Sequence, residues 1–256
     1  MTTALVTGAS GGIGEAIARE LAARHHDLVL VARNGDKLHA LAAELGARHG
    51  VRIDVLTADL AEPGAGAALG ALVADRTIDV LVNNAGVGDY GEFHLADPAK
   101  LTQMVQLNVS TLTDLTRALL PTMIERSSGR VLNVASTAAF MPGPLMSVYY
   151  ATKAYVLSLG EALADEVRGT GVTVTTVCPG PIATGFQAGA DMGESKLVRG
   201  KQLMSAETCA TAAVKAMERG KRIVIPGVMN RLTAATPRFL PRSVVPGIVR
   251  RAQAPH

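Results

Sequence analysis

The sequence has no tryptophan, and aromatic residues make up only 3% of its 256 positions. That scarcity removes the usual stacking platforms for single-stranded nucleic acid, and it leaves the core to be built from aliphatic side chains. Cysteine is equally sparse: Cys178 and Cys209 stand far apart, with no CxxC pair and no histidine at ligand spacing. They predict neither a disulfide framework nor a zinc site. The six histidines form no HExxH or comparable cluster, so no metal is expected. No stretch reaches the ~18 uncharged apolar residues of a membrane-spanning helix. Met1 runs directly into the apolar Ala4-Leu5-Val6 without a basic or leader-like region, which predicts a cytoplasmic location.

What is present is apolar and rich in glycine: 48% hydrophobic residues, 18% charged residues and 26 glycines without a triplet period. Such a composition excludes both a disordered chain and a collagen-like one. Short apolar runs at Ala4–Thr7, Asp27–Ala32, Arg52–Ala58, Val80–Asn83, Arg130–Ala135, Thr173–Cys178 and Arg222–Ile225 read as strands. They alternate with helical patterns near 12–25, 35–50, 64–75, 98–126, 148–168 and 205–219. This alternation predicts an α/β, doubly wound, mostly parallel seven-stranded sheet with helices on both faces. Runs such as Leu28-Val29-Leu30-Val31 are apolar without alternation, as strands covered on both faces must be.

Residues 1–226 hold this pattern, and 227–256 read as a C-terminal extension of the same domain. From Lys215 onward there are nine Lys/Arg against one acid, Glu218, so this end carries +8 while the preceding 214 residues sum to −5. Leu232, Phe239, Leu240, Val244, Val245 and Ile248 are interspersed with the arginines, and Pro237, Pro241 and Pro246 forbid one long helix, so short turns are expected. Basic and apolar residues together fit an anionic membrane surface, with the chain peripheral to it, or an acidic carrier protein; a subunit contact or a pocket cover fits as well. No recognition motif accompanies the charge, so nucleic acid is not an expected partner.

After the first strand comes Thr7-Gly8-Ala9-Ser10-Gly11-Gly12-Ile13-Gly14, opening a helix. Glycines there let the backbone approach a pyrophosphate, whose charge the free amides and dipole of the helix N-terminus can hold. This TGxxxGxG arrangement resembles the nucleotide loop of the short-chain dehydrogenase/reductase family, in its compact single-domain branch with a Rossmann fold, over residues 1 to about 226. The resemblance implies cofactor contacts at Gly8, Ser10, Gly12, Ile13 and Gly14.

The second strand ends Ala32-Arg33, where a site for NAD usually places an acid against the ribose 2′-hydroxyl. An arginine instead pairs with a 2′-phosphate, so NADP(H) is expected over NAD(H). Asp59-Leu60 follows the third strand where the family contacts adenine. Asn83-Asn84-Ala85-Gly86 follows the fourth and looks like the family's NNAG motif, which implies contacts at Asn83, Ala85 and Gly86. Pro179-Gly180-Pro181-Ile182-Ala183-Thr184 resembles the family's PG motif. By that resemblance Pro179, Gly180, the backbone of Ile182 and the Thr184 hydroxyl close over the nicotinamide carboxamide.

Tyr149 and Lys153 stand four residues apart, which on a helix places both on one face. Free tyrosine titrates near ~10, so bringing it to neutrality takes ~4 kcal/mol, and a nearby ammonium works in that direction. Ser136 lies thirteen residues before Tyr149, at the end of a strand, with no GxSxG elbow that would mark a hydrolase. Its hydroxyl and that of Tyr149 can jointly hold a carbonyl oxygen as charge develops on it. Asn108 breaks a good helix-forming stretch from Leu101 to Leu120. In the family, residues matching Asn108, Ser136, Tyr149 and Lys153 form the catalytic set, with the asparagine supporting a water relay and the lysine also holding the nicotinamide ribose.

Phe140, Met141, Leu145 and Met146, with Phe186, Met192, Leu197, Val198 and Leu203, are expected around the substrate. An apolar lining fits an acyl, aliphatic or alicyclic ketone better than a sugar. The sequence thus predicts an NADP(H)-dependent carbonyl reductase or alcohol dehydrogenase acting on a small apolar carbonyl compound, and the resemblance implies a homo-oligomer. The alternative is a non-catalytic NADP(H)-binding regulator that acts through its basic tail.

Overall fold

Short, largely apolar or β-branched runs form seven strands: β1 (Thr3–Thr7), β2 (Asp27–Ala32), β3 (Ile53–Thr57), β4 (Val80–Asn83), β5 (Gly129–Val134), β6 (Val172–Val177) and β7 (Ile223–Val224). The computed structural model describes residues 2–186, 190 and 203–254. All seven strands are parallel, in the order β3-β2-β1-β4-β5-β6-β7.

Successive residues of one strand enter opposite cores. Ala4, Val6, Leu28 and Leu30 pack with Ile17 and Leu21 of α1 (Gly12–Ala22), Leu38 and Leu41 of α2 (Gly35–His49), and Val214 in 206–218. Leu5, Val29, Val31 and Leu81 pack on the other face with Leu69 of α3 (Ala65–Leu72) and with Leu115 and Leu119 in 112–125. Each fully buried Leu or Ile contributes ~1.5–3 kcal/mol, which makes both faces necessary to the sheet.

The predicted helix over 98–126 is a rod of three parts: α4 (Pro98–Val105), a π-helical turn (Gln106–Thr111) and α5 (Leu112–Glu125). It is followed by α6 (Ser147–Glu166) and α7 (Ala206–Glu218). The tail corrects an expectation. In place of short turns alone it forms α8 (Val228–Ala235), a 3-10 turn (Thr236–Phe239) and α9 (Val245–Gln253). Pro246 and Pro237 occupy first-turn positions, where a missing N–H removes no helical bond.

β1 pairs with β2 on one side and β4 on the other, so the chain winds outward to β3 and then returns across the sheet. That reversal opens a crevice beyond the C-terminal ends of β1 and β4, where doubly wound sheets bind their ligands.

Candidate active site

The loop from Gly8 to Gly12 fills this crevice and lines a cavity of about 1470 Å3. Gly8 turns with φ +67, and a Cβ on it would lie 2.7 Å from Asn84 Nδ2. A Cβ on Gly14 would lie 2.3 Å from the Gly8 carbonyl oxygen, so this glycine lets the helix seat against the loop. Asn84 secures the same turn, donating to the carbonyls of Thr7 at 2.9 Å and Gly8 at 3.2 Å. Gly11, at the N-cap of α1, supplies no side-chain hydrogen bond, and a Cβ built on it meets nothing within 4 Å. The N-terminus of α1 is thus open at Gly11, and its first-turn amides with that glycine cradle fit a dinucleotide pyrophosphate.

Ser136, Tyr149 and Lys153 line the same cavity. Ser136 stands two residues past the end of β5, and its Oγ accepts from the Ala138 amide at 3.1 Å while donating a long 3.4 Å bond to the Pro179 carbonyl. Tyr149 and Lys153 share the face of α6 that meets this strand end, with Lys153 Nζ 5.8 Å from the Tyr149 ring centroid. Lys153 is buried and donates to the Val134 carbonyl at 2.9 Å.

The electrostatics differ from the sequence expectation. Burial pushes the Tyr149 phenol up to about 12, although a hydrogen-bonding contact with Ser136 pulls it down. Burial also pushes the Lys153 ammonium down to about 8. Desolvation dominates the phenol, and the one influence that opposes it is the Ser136 hydroxyl rather than the Lys153 ammonium.

Asn108 does not line the cavity but stands directly behind it, in the π-helical turn. Its Oδ1 accepts from the Val87 amide at 3.0 Å, and its Nδ2 donates to the Val87 carbonyl at 2.9 Å and to Thr152 Oγ1 at 3.1 Å. These bonds offset its poor helix propensity. Gly86 is the hub of the arrangement: a Cβ there would sit 3.1 Å from Asn108 Oδ1 and 3.4 Å from Lys153 Nζ.

Ser10, Ile13, Ala85, Pro179, Gly180, Ile182 and Thr184 also line the cavity, as do Gly8, Gly12 and Gly86. Thr184 leans over the glycine loop, 3.3 Å from where a Gly12 Cβ would be. Asn83 is placed differently: its carboxamide is buried in the sheet, donating at 2.9 Å to both Thr116 Oγ1 and Asn133 Oδ1. Gly14, Asp59, Leu60 and Arg33 stand outside the lining. Arg33 is exposed at the end of β2, 3.9 Å from the Asp59 carboxylate.

Lys37, which sequence reasoning passed over, lines the cavity from the first turn of α2. Its signal was Asn34, which caps that helix by accepting from the Lys37 amide at 3.0 Å. Of the residues expected around the substrate, Met141, Met146, Phe186 and Leu203 line the cavity, whereas Phe140 and Leu145 do not. Met192, Leu197 and Val198 lie outside the described residues. The tail supplies the remaining wall through Val228, Met229, Ile248 and Gln253.

The profile described as short chain dehydrogenase matches residues 2–194. A short-chain dehydrogenase from Sphingobium yanoikuyae, solved in complex with NADPH, is 34% identical with a TM-score of 0.85, covering 93% of this chain and 94% of that one. The bulky-bulky ketone specific alcohol dehydrogenase from Comamonas testosteroni is 31% identical with a TM-score of 0.80, covering 93% of each chain. The very-long-chain 3-oxoacyl-CoA reductase of Bos taurus is 35% identical over 185 residues, which span 71% of this chain but only 59% of the bovine one. The mouse reductase of the same name is 31% identical over 251 residues, 95% of this chain and 78% of that one. By its profile match, its sheet and these relatives, the chain belongs to the short-chain dehydrogenase family and is an oxidoreductase.

Proposed function

We propose that the chain transfers hydride between NADP(H), in preference to NAD(H), and a ketone or secondary alcohol, acting as a reductase of an apolar acyl, aliphatic or alicyclic carbonyl compound. One observation carries this reading: Ser136, Tyr149 and Lys153 line the same cavity as the glycine loop. When bound, the nicotinamide supplies the hydride chemistry, and the chain supplies position and field.

Tyr149, pushed up to about 12, holds its proton at neutral pH and can pass it to a carbonyl oxygen during reduction. Ser136 can swing its hydrogen from the 3.4 Å bond with Pro179 onto that same oxygen, so the growing charge meets two donors. The Lys153 ammonium then stabilises the phenolate left behind. Asn108 keeps the Val87 loop and the start of α6 in register through its bonds to Val87 and Thr152.

Two cations near the end of β2, Arg33 and Lys37, support a 2′-phosphate, as does the NADPH in the Sphingobium relative. The apolar lining of Met141, Met146 and Phe186 supports a large apolar substrate, as do the names of the bovine and Comamonas relatives.

The test is titration with NADPH and NADH, followed by loss of reduced-cofactor absorbance across aliphatic, alicyclic and acyl-thioester ketones. NADPH should bind at least about tenfold tighter. Tyr149→Phe should lose about 10²–10⁴ of the turnover while still binding NADPH. Undiminished turnover in that variant sinks the assignment of Tyr149, and failure to bind either cofactor sinks the site.

A further inference from the structure

Twelve large hydrophobic side chains are exposed among the described residues, and six of them fall within 228–248. They are Val228, Met229, Leu232, Phe239, Val244 and Ile248, with Phe239 84% exposed. The same stretch of chain, 227–254, contains five arginines and no acid. Arg250 reaches Glu92 at 3.3 Å and Arg231 donates to the Ile225 carbonyl at 3.2 Å. Arg238, Arg242 and Arg251 are exposed and form no ion pair among the described residues. Half of the exposed large apolar side chains and a group of unneutralised cations thus share about a tenth of the chain.

We propose that α8, the 3-10 turn and α9 form a docking face for an anionic lipid bilayer, and that the cavity opens onto it. Phenylalanine, leucine and methionine side chains at a surface gain by entering the acyl boundary, while arginines beside them meet lipid phosphates. A second copy of the chain fits the charge poorly, because a two-fold contact would set arginines against arginines. No helix among the described residues is long and apolar enough to span a membrane, so the contact is with the surface.

Val228, Met229 and Ile248 belong both to the exposed apolar set and to the cavity wall. The docking face is therefore continuous with the apolar end of the site. An apolar ketone dissolved in the bilayer would enter without crossing water. That last step rests on the proposed reductase activity; the docking itself does not.

The experiment is flotation of the full-length protein with two kinds of vesicle, one of phosphatidylcholine alone and one of phosphatidylcholine and phosphatidylglycerol in equal parts. The protein should float with the anionic vesicles only, and should be released at about 1 M salt, where the screening length is ~3 Å. Each arginine near an anionic surface is worth about fivefold in partitioning (~1 kcal/mol), so Arg238→Glu/Arg242→Glu should reduce binding by about 25-fold or more. Leu232→Ser/Phe239→Ser should reduce it at least about tenfold by removing the apolar anchors. Neither pair lines the cavity, so both variants should keep the wild-type melting temperature and NADPH affinity.

Flotation needs no turnover, so a failed search for a ketone substrate leaves this result readable. Lack of flotation by the wild-type protein overturns the proposal, as does equal flotation by the variants. Self-association that depends on Phe239 without vesicle binding would assign the face to a second copy. Binding to polyglutamate without vesicle binding would assign it to an acidic partner. Either outcome overturns the lipid surface.

Discussion

The carboxamide of Gln253 donates a 2.8 Å hydrogen bond to the phenol oxygen of Tyr150, 103 residues earlier in the chain. Tyr90 adds a second tie, donating at 2.7 Å to the Gln253 main-chain carbonyl. Gln253 is fully buried, and its Oε1 has no hydrogen-bond partner among the described residues. The Tyr150 ring stands edge-on to that of Tyr149, with centroids 6.2 Å apart, so the last helix is fastened to the immediate neighbour of the proposed acid. Tyr150→Phe should leave both ends of the carboxamide unpaired and cost about 1–3 kcal/mol. Adding Gln253→Leu removes the stranded group, so the double variant should return to within about 1 kcal/mol of wild type. Denaturant midpoints of the four proteins provide the check, and additive losses would refute the coupling.

Gly11, at the N-cap of α1, and Gly14, in its first turn, should respond in opposite ways. A methyl on Gly14 would press to 2.3 Å from the Gly8 carbonyl oxygen, so Gly14→Ala should destabilise the fold by about 1–3 kcal/mol. A methyl on Gly11 meets nothing within 4 Å, and φ 173 is extended backbone open to any residue. Gly11→Ala should therefore melt like wild type but bind NADPH at least about tenfold more weakly, because its methyl would enter the pyrophosphate cradle. Calorimetric melts and cofactor titrations on both variants separate the two effects. Equal NADPH affinity for wild type and Gly11→Ala would place the pyrophosphate elsewhere.

The strands and the Tyr149/Lys153 pair were legible because each has a short-range signature: apolar runs, buried on both faces in the central strands β1, β2 and β4, and a spacing of one helical turn. The choice between Asn83 and Asn84 was not legible. Both are asparagines, and only strand register decides that Asn83 enters the sheet beside Asn133 while Asn84 reaches the glycine loop. The tail helices were hidden by reading Pro237 and Pro246 as breakers, although first-turn positions accept proline. The contact between Gln253 and Tyr150 has no local signal at all. Nor does spacing reveal burial, which raises Tyr149 where charge alone would lower it.

Arg33 provides a test of cofactor choice. Its side chain is 71% exposed and its guanidinium lies 3.9 Å from the Asp59 carboxylate, a loose contact that a phosphate could replace with a bidentate one. Arg33→Ala should weaken NADPH by about tenfold or more while changing NADH less than about twofold, as measured by fluorescence titration. Equal losses for both cofactors would reduce Arg33 to general support of the site. In that event Lys37→Ala would be the next variant, since Lys37 lines the cavity from the adjoining helix.

Lys153 links the site to stability with a definite sign. Its folded-state value is pushed down from 10.5 to about 8 by burial, so between these values the unfolded chain binds a proton that the folded chain has released. Below pH 8 the buried ammonium carries its full desolvation penalty, and the penalty fades as pH rises toward 10.5. Relative to Lys153→Met, wild type should therefore gain stability across that window, by about 2–3 kcal/mol in all. Tyr149 opposes this trend above pH 10, because its value is raised to about 12, but it is present in both proteins and cancels in the comparison. Ketone reduction should show the opposite slope, falling above pH 8 as the ammonium that supports the phenolate is lost. Denaturant unfolding of wild type and Lys153→Met at pH 7, 9 and 10.5, run beside the pH profile of wild-type turnover, checks both signs; a stability difference that stays constant with pH would mean that Lys153 does not titrate in the folded protein.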